Sequence, residues 1–164
     1  MPKIPSVGRT RVLPLLLAVL AASGCDSADE IVLDADFYVG TWTLVSVADD
    51  SGDRTAQVTA LLDDFAVDFE SDGDFVLVAD FAEIVNAAGQ ADVTLAGDYQ
   101  AAAVARTLSL LIDTDAGRLA PTFRVEAESQ NAATLTAPGA IVGQLLGDLQ
   151  IAFDGDVVLG IARQ

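Results

Sequence analysis

The sequence predicts an all-β protein, an antiparallel meander of strands that closes into a barrel, with one or two short helices. Two observations carry this prediction. Apolar and polar side chains alternate with a period of two through most of the chain after residue 38, which is the repeat of a half-buried strand. Clusters of Gly, Asp and Ser separate these runs at the spacing of consecutive hairpins. With 164 residues, 52% of them hydrophobic, the chain can form one domain with a sizeable core.

The first predicted strand covers residues 40–47 and contains the only Trp of the chain. Because side chains alternate between the two faces of a strand, we expect Trp42, Leu44 and Ser46 to share one face. A cluster of Asp, Ser and Gly at 49–53 then predicts a turn. We expect the remaining sheet to curl back onto this strand.

A short helix and the clearest hairpin of the chain follow. Asp53 can cap a helix over 54–62, where apolar residues recur at helical spacing. The segments 65–70 and 75–81 both alternate, and the turn at 71–74 contains the Gly that such turns need. Each of these strands has one apolar and one polar face, which predicts a sheet with a buried side and a solvent side.

The second half of the chain continues the meander. Further strands are predicted at 92–99, 107–113, 122–128 and 133–135, with one or two more between 151 and 161. Residues 138–149 break the alternation, with a Pro followed by Gly at every fourth position. We expect a short helix or a buried connection there that closes one end of the barrel.

The first 24 residues have the composition of a targeting segment. Three basic residues precede an apolar stretch over 12–22, which is about half of what a bilayer span requires. Ala22-Ser23-Gly24 then leads into Cys25, the only Cys. This arrangement resembles the signal of bacterial lipoproteins, in which cleavage leaves the Cys as a lipid-modified N-terminus. The resemblance implies lipid attachment at Cys25 and a place in the bacterial cell envelope, on the periplasmic or the cell-surface side, where several acyl chains give stable anchoring.

The composition divides the chain into three parts. We assign a signal peptide to 1–24, an acidic tether to 25–38 and the barrel domain to 39–164. As an alternative, residues 31–33 could pack as a short strand or lid over the domain, because they are consecutive apolar residues within the acidic segment.

Acidic residues dominate the chain from Cys25 onward. Residues 25–164 carry five Arg and all 25 Asp and Glu, which leaves a formal charge of −20. Such a body repels phosphate backbones and anionic lipid headgroups. We therefore expect no nucleic-acid partner, and contact with the membrane through the N-terminal lipid. The acidity is also consistent with adaptation to high salt, where screening shortens the range of charge repulsion.

Residues for nucleophilic and metal chemistry are scarce. The sequence has no His, one Cys and no Lys beyond position 3. Ser-His, Cys-His and Ser-Lys nucleophiles are therefore excluded, as are zinc sites of His and Cys. Acidic clusters such as Asp72-Gly73-Asp74 and Asp154-Gly155-Asp156 are explained by turn formation and do not match the EF-hand spacing. We expect no enzymatic activity, no catalytic residue, no metal and no cofactor.

Short motifs between residues 39 and 137 resemble a known family. They are Gly40-Thr41-Trp42, Asp72-Gly73-Asp74, Gly97-Asp98-Tyr99 and Thr107-Leu108-Ser109-Leu110. In this order and spacing they resemble the lipocalin-like domains of bacterial lipoproteins. The resemblance implies an eight-stranded lipocalin-like barrel.

The resemblance also implies how the base of the barrel is packed. The matching residues are Gly40 and Trp42, whose ring would close the base, with an Arg from near the last strand laid across it. We choose Arg163 for this role, and Arg106 and Arg124 are the alternatives.

The interior of an eight-stranded barrel is either filled by side chains or holds one small ligand. The residues predicted to line such a ligand site are Leu44, Phe65, Val67, Phe69, Phe75, Leu77, Phe81, Leu95, Tyr99, Leu110 and Phe123. The first hypothesis is a membrane-anchored binding protein for a small apolar or mildly cationic ligand, and the resemblance places its gate in the connection 49–64.

The second hypothesis is a filled barrel that serves as an envelope structural or protein-interaction module, without a small-molecule ligand. Rings that meet across the barrel axis would favour it. A third alternative is an open β-sandwich, in which Trp42 would not pair with the last strand.

Overall fold

A computed structural model of the protein describes residues 31–86, 91–114, 117–145 and 151–164. Within these ranges the strands form one antiparallel sheet. They are β1 (Gly40–Asp49), β2 (Gly52–Asp53), β3 (Leu62–Phe69), β4 (Asp74–Phe81), β5 (Val93–Ala102), β6 (Thr107–Thr114), β7 (Gly117–Leu119), β8 (Thr122–Ser129), β9 (Ala132–Pro138) and β10 (Asp156–Arg163). The predicted fold class is confirmed, because this sheet closes into an eight-stranded barrel.

Closure is made by the first and last long strands. β1 pairs with β10 over a register that runs from Trp42 opposite Arg163 to Ala48 opposite Val158. Around the rest of the wall, neighbours in the sheet follow the order of the chain. The short strands β2 and β7 pair with the ends of β1 and β6, respectively. The pairing of Trp42 with the last strand excludes the open sandwich.

The helical segments within the described ranges are short and lie in connections. They are α1 (Ala35–Tyr38), α2 (Thr55–Thr59), α3 (Glu83–Asn86) and α4 (Gly139–Leu145). α2 is shorter than the predicted helix because Leu62 already belongs to β3, and α3 lies in a connection that the sequence did not predict to be helical. α4 is the short helix expected after residue 137, and the rest of that segment, 146–149, lies outside the described residues. Within the described ranges, no helix has the length and apolar character needed to cross a bilayer.

The core follows the predicted alternation along most strands. In β4, for example, Phe75, Leu77, Ala79 and Phe81 are buried, and the residues between them are not. No polar or charged residue is fully buried in the part of the chain that the structure describes. The interior is therefore predominantly apolar.

The prediction for the inner face of β1 is wrong in its last residue. A β-bulge between Leu44 and Ser46 shifts the register, so that Ser46 is exposed and Val47 is buried. A bulge inserts one extra residue, here Val45, and so reverses the facing of the residues that follow it. Gly160 lies opposite Ser46, and a Cβ at that position would overlap the Ser46 Oγ.

The folded domain begins earlier in the chain than the predicted boundary at residue 39. Residues 31–164 form one compact unit. Leu33, Phe37 and Tyr38 are buried in its core, because α1 turns the chain across the base of the barrel. Of the segment predicted as a tether, residues 31–38 are thus packed on the domain, which is close to the alternative considered for 31–33. The predicted signal peptide and Cys25 lie outside the described residues.

Candidate functional site

The base of the barrel is sealed by a tryptophan and an arginine. Trp42 is fully buried, and the guanidinium carbon of Arg163 lies 4.8 Å from the centroid of its ring. The two residues face each other in the β1–β10 register. A cation over the face of an indole is attracted by the negative face of the ring. Arg163, rather than Arg106 or Arg124, therefore occupies the position across the ring.

The short helix α1 completes the seal from below. The Trp42 indole Nε1 donates a hydrogen bond to the carbonyl oxygen of Tyr38, at 2.6 Å. The Arg163 guanidinium donates to the carbonyl oxygen of Phe37. Asp34 caps the helix by accepting a hydrogen bond from the Phe37 amide, at 3.2 Å. The Trp42 indole and one terminal nitrogen of Arg163 thus satisfy the last carbonyls of α1, while the buried Arg163 Nε has no hydrogen-bond partner.

Gly40 allows the chain to pass from α1 into β1. Its φ angle is +117°, a conformation that side chains other than hydrogen rarely adopt. A Cβ at this position would lie 3.8 Å from the Arg163 Cδ, so the backbone angle rather than space selects glycine. Gly40 therefore contributes to the base by allowing the backbone to turn from α1 into β1.

Aromatic rings fill the lower part of the barrel above this seal. The ring of Phe69 lies 4.9 Å from that of Tyr99 and 6.2 Å from that of Phe75, and Tyr38 packs against Phe69 at 5.9 Å. The Tyr99 hydroxyl donates to the carbonyl oxygen of Glu70, at 3.0 Å. Three of the predicted inward rings therefore meet, as the filled-barrel hypothesis requires, but only at this end.

One buried hydroxyl in the cluster has no hydrogen-bond partner. It is the Tyr38 hydroxyl. Burial raises the pKa of Tyr38 to about 12, and the negative charge of Asp34 acts in the same direction. Both influences favour the neutral phenol over the phenolate.

A cavity of about 40 Å³ lies above the rings, and its walls consist of hydrocarbon side chains. They are Leu44, Phe65, Val67, Phe69, Leu77, Leu108, Leu110, Phe123, Leu135, Val142, Leu145, Leu159 and Ile161. Seven of the residues predicted to line a ligand site are in this set: Leu44, Phe65, Val67, Phe69, Leu77, Leu110 and Phe123. The remaining predicted residues are Phe75, Phe81, Leu95 and Tyr99, and they do not line the cavity.

The six lining residues that the prediction missed are of two kinds. Four lie on strands where the alternating pattern was visible: Leu108, Leu135, Leu159 and Ile161. The other two, Val142 and Leu145, come from α4, which closes the cavity from one side. No two-residue alternation could have found these two, because they lie on a helix whose position depends on the finished barrel.

Two outer grooves share residues with the cavity. One groove, of about 210 Å³, is lined by Thr43, Leu44, Thr59, Leu62, Asp63, Asp64 and Phe65. It has Leu44 and Phe65 in common with the cavity, so these two side chains are the partition between inside and outside. The other, of about 190 Å³, lies against α4 and shares Leu145 with the cavity.

The connection after β1, predicted as the gate, is held by one carboxylate. Asp49 accepts hydrogen bonds from the amide and hydroxyl of Ser51, at 2.9 and 2.5 Å, from Arg54 Nε at 3.0 Å and from the Asp154 amide at 3.1 Å. These bonds, the one from the Ser51 hydroxyl first, hold the pKa of Asp49 well below its usual range although burial opposes them. Asp49 therefore ties the start of α2 to the entry of β10.

Metal-binding geometry and similarity to known proteins add no further assignment. Among the described residues, no three acidic or Cys side chains converge in an arrangement that could hold a metal ion. No family model matches the chain, and a search of curated proteins finds no match either.

Proposed function

We propose that this protein is a lipid-anchored, lipocalin-like protein of the bacterial cell envelope that binds a small apolar ligand inside its barrel. The observation that carries the proposal is the cavity between the ring cluster and α4, whose walls are entirely hydrocarbon. Apolar surface around a void excludes water and favours an apolar occupant. The role is binding rather than catalysis, because no reactive group faces this space.

The size of the cavity requires it to expand when the ligand enters. About 40 Å³ is well below the roughly 150 Å³ of an apolar cavity that binds benzene. Ligand pockets commonly span about 300 to 1,000 Å³. Leu44 and Phe65 line both the cavity and the 210 Å³ groove, so rotation of these side chains would provide additional space.

The filled barrel is the second candidate, and the small cavity is the observation that favours it. In that case the barrel is an envelope structural or protein-interaction module, and its interior contributes only stability. The two candidates differ in one measurable property, which is whether an apolar molecule enters the interior.

Binding of Nile red, an apolar dye, to the full chain carrying Cys25→Ser tests this property. Val142→Phe places a ring in the cavity and should weaken dye binding by roughly tenfold or more, because the apolar contact area is taken up by the protein. Phe65→Ala enlarges the same space and should strengthen binding. Val104→Phe is the matched control, because Val104 is fully exposed and does not line the cavity.

Two results would favour the filled barrel instead. One is dye binding that neither cavity variant changes relative to Val104→Phe. The other is native mass spectrometry of the purified protein without any co-purified apolar molecule, combined with no binding of the dye.

The anchoring part of the proposal has a separate test. Cys25→Ser removes the proposed site of lipid attachment and should move the protein from the membrane fraction to the soluble fraction, whereas Ser27→Ala should not. A Cys25→Ser protein that stays in the membrane fraction would contradict lipid anchoring and leave the binding proposal untouched.

A further inference from the structure

The barrel wall has a seam where two neighbouring strands separate. β1 and β3 pair from Gly40 opposite Phe69 to Thr43 opposite Ala66, and no pairing continues beyond that point. β3 nevertheless continues along β4 up to Leu62, and β1 continues along β10. The edge of β1 that faces β3 is bonded again at Val47, to Arg54 and Thr55, and at Ala48 and Asp49, to β2, so the wall is open only around residues 44–46.

The helix α2 covers this opening. The Thr55 hydroxyl lies 2.9 Å from the Val47 amide, which donates to it, and Val58 is buried beneath the helix. Thr59, from the last turn, forms one side of the 210 Å³ groove. The groove is thus the outer mouth of the seam, bounded by β1, β3 and α2.

The floor of the groove is also the wall of the inner cavity. Leu44 and Phe65 line both spaces, and Phe65 is only half-buried. Half-buried side chains at a strand separation change rotamer more easily than side chains enclosed on all sides. A change of the Phe65 rotamer would join the groove and the cavity into one channel that is polar at its mouth and apolar inside.

The mouth of the groove carries uncompensated negative charge. Asp63 and Asp64 are exposed on its rim, and Asp64 lies directly opposite Asp80 in the β3–β4 register. Like charges in directly opposed positions destabilise a sheet. The ion pairs found among the described residues use Arg54 and Arg118 and engage other carboxylates. A cation at this mouth would relieve the repulsion.

We propose that the seam binds an amphiphilic cation, with its alkyl chain passing between Leu44 and Phe65 into the cavity and its positive head beside Asp63 and Asp64. The inference rests on the proposed binding of an apolar ligand and adds the chemical class of that ligand and the route by which it enters. The groove beside α4 provides a contrast, because its lining contains no charged residue.

Calorimetric titration of the full chain carrying Cys25→Ser measures the preference for a cation. The probes are decyltrimethylammonium, decanol and decanoate, each below the concentration at which it aggregates, so that chain length is constant and only the head group changes. The expected order of affinity is cation, then alcohol, then carboxylate. The Asp63→Asn/Asp64→Asn variant should weaken cation binding about threefold to tenfold, because exposed charge pairs contribute modestly, and should leave decanol binding unchanged.

A control variant removes the general effect of net charge. Glu126→Gln/Glu128→Gln changes the charge by the same amount on β8, away from the seam, and should leave the affinity for the cation unchanged. Equal weakening by both double variants would overturn the proposed head-group site.

The route is tested by shielding one groove at a time. Thr59 and Gln144 are exposed and line the two grooves, so Thr59→Trp should slow association of the probe severalfold and Gln144→Trp should not. The reverse result would place entry beside α4 and overturn the seam.

The failure of this inference is distinguishable from the failure of the proposed function. If decanol binds as tightly as the cation and is sensitive to Val142→Phe, the interior binds apolar ligands but the cation site is wrong. If no probe of any charge binds, both proposals are wrong.

Discussion

The two ends of the barrel are held together by opposite chemistry. At the base, Trp42, Arg163 and the rings around them form a dry seal in which nearly every contact is hydrocarbon or a bond to backbone. At the rim, Asp49 joins three connections through hydrogen bonds to one carboxylate. The base is therefore held by side-chain packing, and the rim is held by hydrogen bonds to Asp49.

The difference explains which end can open. A close-packed ring cluster cannot open locally, because displacing one ring leaves unfilled space around it. At the rim the Asp49 side chain is itself shielded from solvent, but Ser51 and Asp154, which donate to it, are exposed and can bond to water instead at small net cost. Entry of the proposed ligand is therefore expected at the rim and along the seam beside α2, while the base keeps the barrel closed.

The largest expected effect is at the base. Trp42→Ala should lower the free energy of unfolding by about 3 to 5 kcal/mol, because it leaves a large cavity in the cluster and removes the ring under Arg163. Chemical denaturation measures the change. An unchanged transition midpoint would contradict the description of the base as the main packing structure.

A smaller loss is expected when the charge over the ring is removed. Arg163→Met keeps much of the packing but removes the cation and the hydrogen bond to the Phe37 carbonyl oxygen, and it should cost about 1 to 3 kcal/mol. Arg124→Met is the matched control, because Arg124 is exposed on β8 and should change stability little. Similar costs for both variants would show that Arg163 contributes no more than a surface residue.

The stability of the rim should decrease in acid. Hydrogen bonds lower the pKa of Asp49 in the folded state, so its contribution to stability is complete above the ordinary pKa of about 4 and is lost as the pH falls through the lower folded value. Asp49→Asn should increase hydrogen exchange in α2, leave exchange at the base unchanged, and reduce the loss of stability in acid. Uniform exchange changes along the whole barrel would contradict a local tie.

The smallest effect is expected at Tyr38, in the opposite pH range. Its folded pKa of about 12 exceeds the ordinary value of 10.0. Its contribution is therefore complete below pH 10 and is lost as the pH rises toward 12. Tyr38→Phe removes a buried hydroxyl without a partner and should stabilise the protein by up to about 1 kcal/mol at neutral pH, while reducing its alkaline sensitivity. Destabilisation at neutral pH would show that the hydroxyl is hydrogen-bonded after all.

The sequence predicted the strands well. It predicted less well which side chains face the interior and which of them border the cavity. Alternation identified the inward faces of β4, β6 and the part of β3 from Phe65 onward, because these stretches are regular, whereas the start of β3 has an irregularity between Leu62 and Asp64. It failed at Ser46, where the bulge reverses the facing of the chain, because a bulge depends on the partner strand and on Gly160 opposite. Alternation also could not separate rings that fill the base, such as Phe75 and Tyr99, from rings such as Phe65 and Phe123 that border the cavity.

By itself the sequence determined the fold class, the acidic surface and the residues that must leave water, because these depend on local periodicity and composition. Only the tertiary structure decided that residues 31–38 seal the base, that α4 closes the cavity and that β1 and β3 separate at a seam. Those features depend on where segments distant in the chain meet, and that is fixed by closure of the barrel and by the volume its side chains leave unfilled.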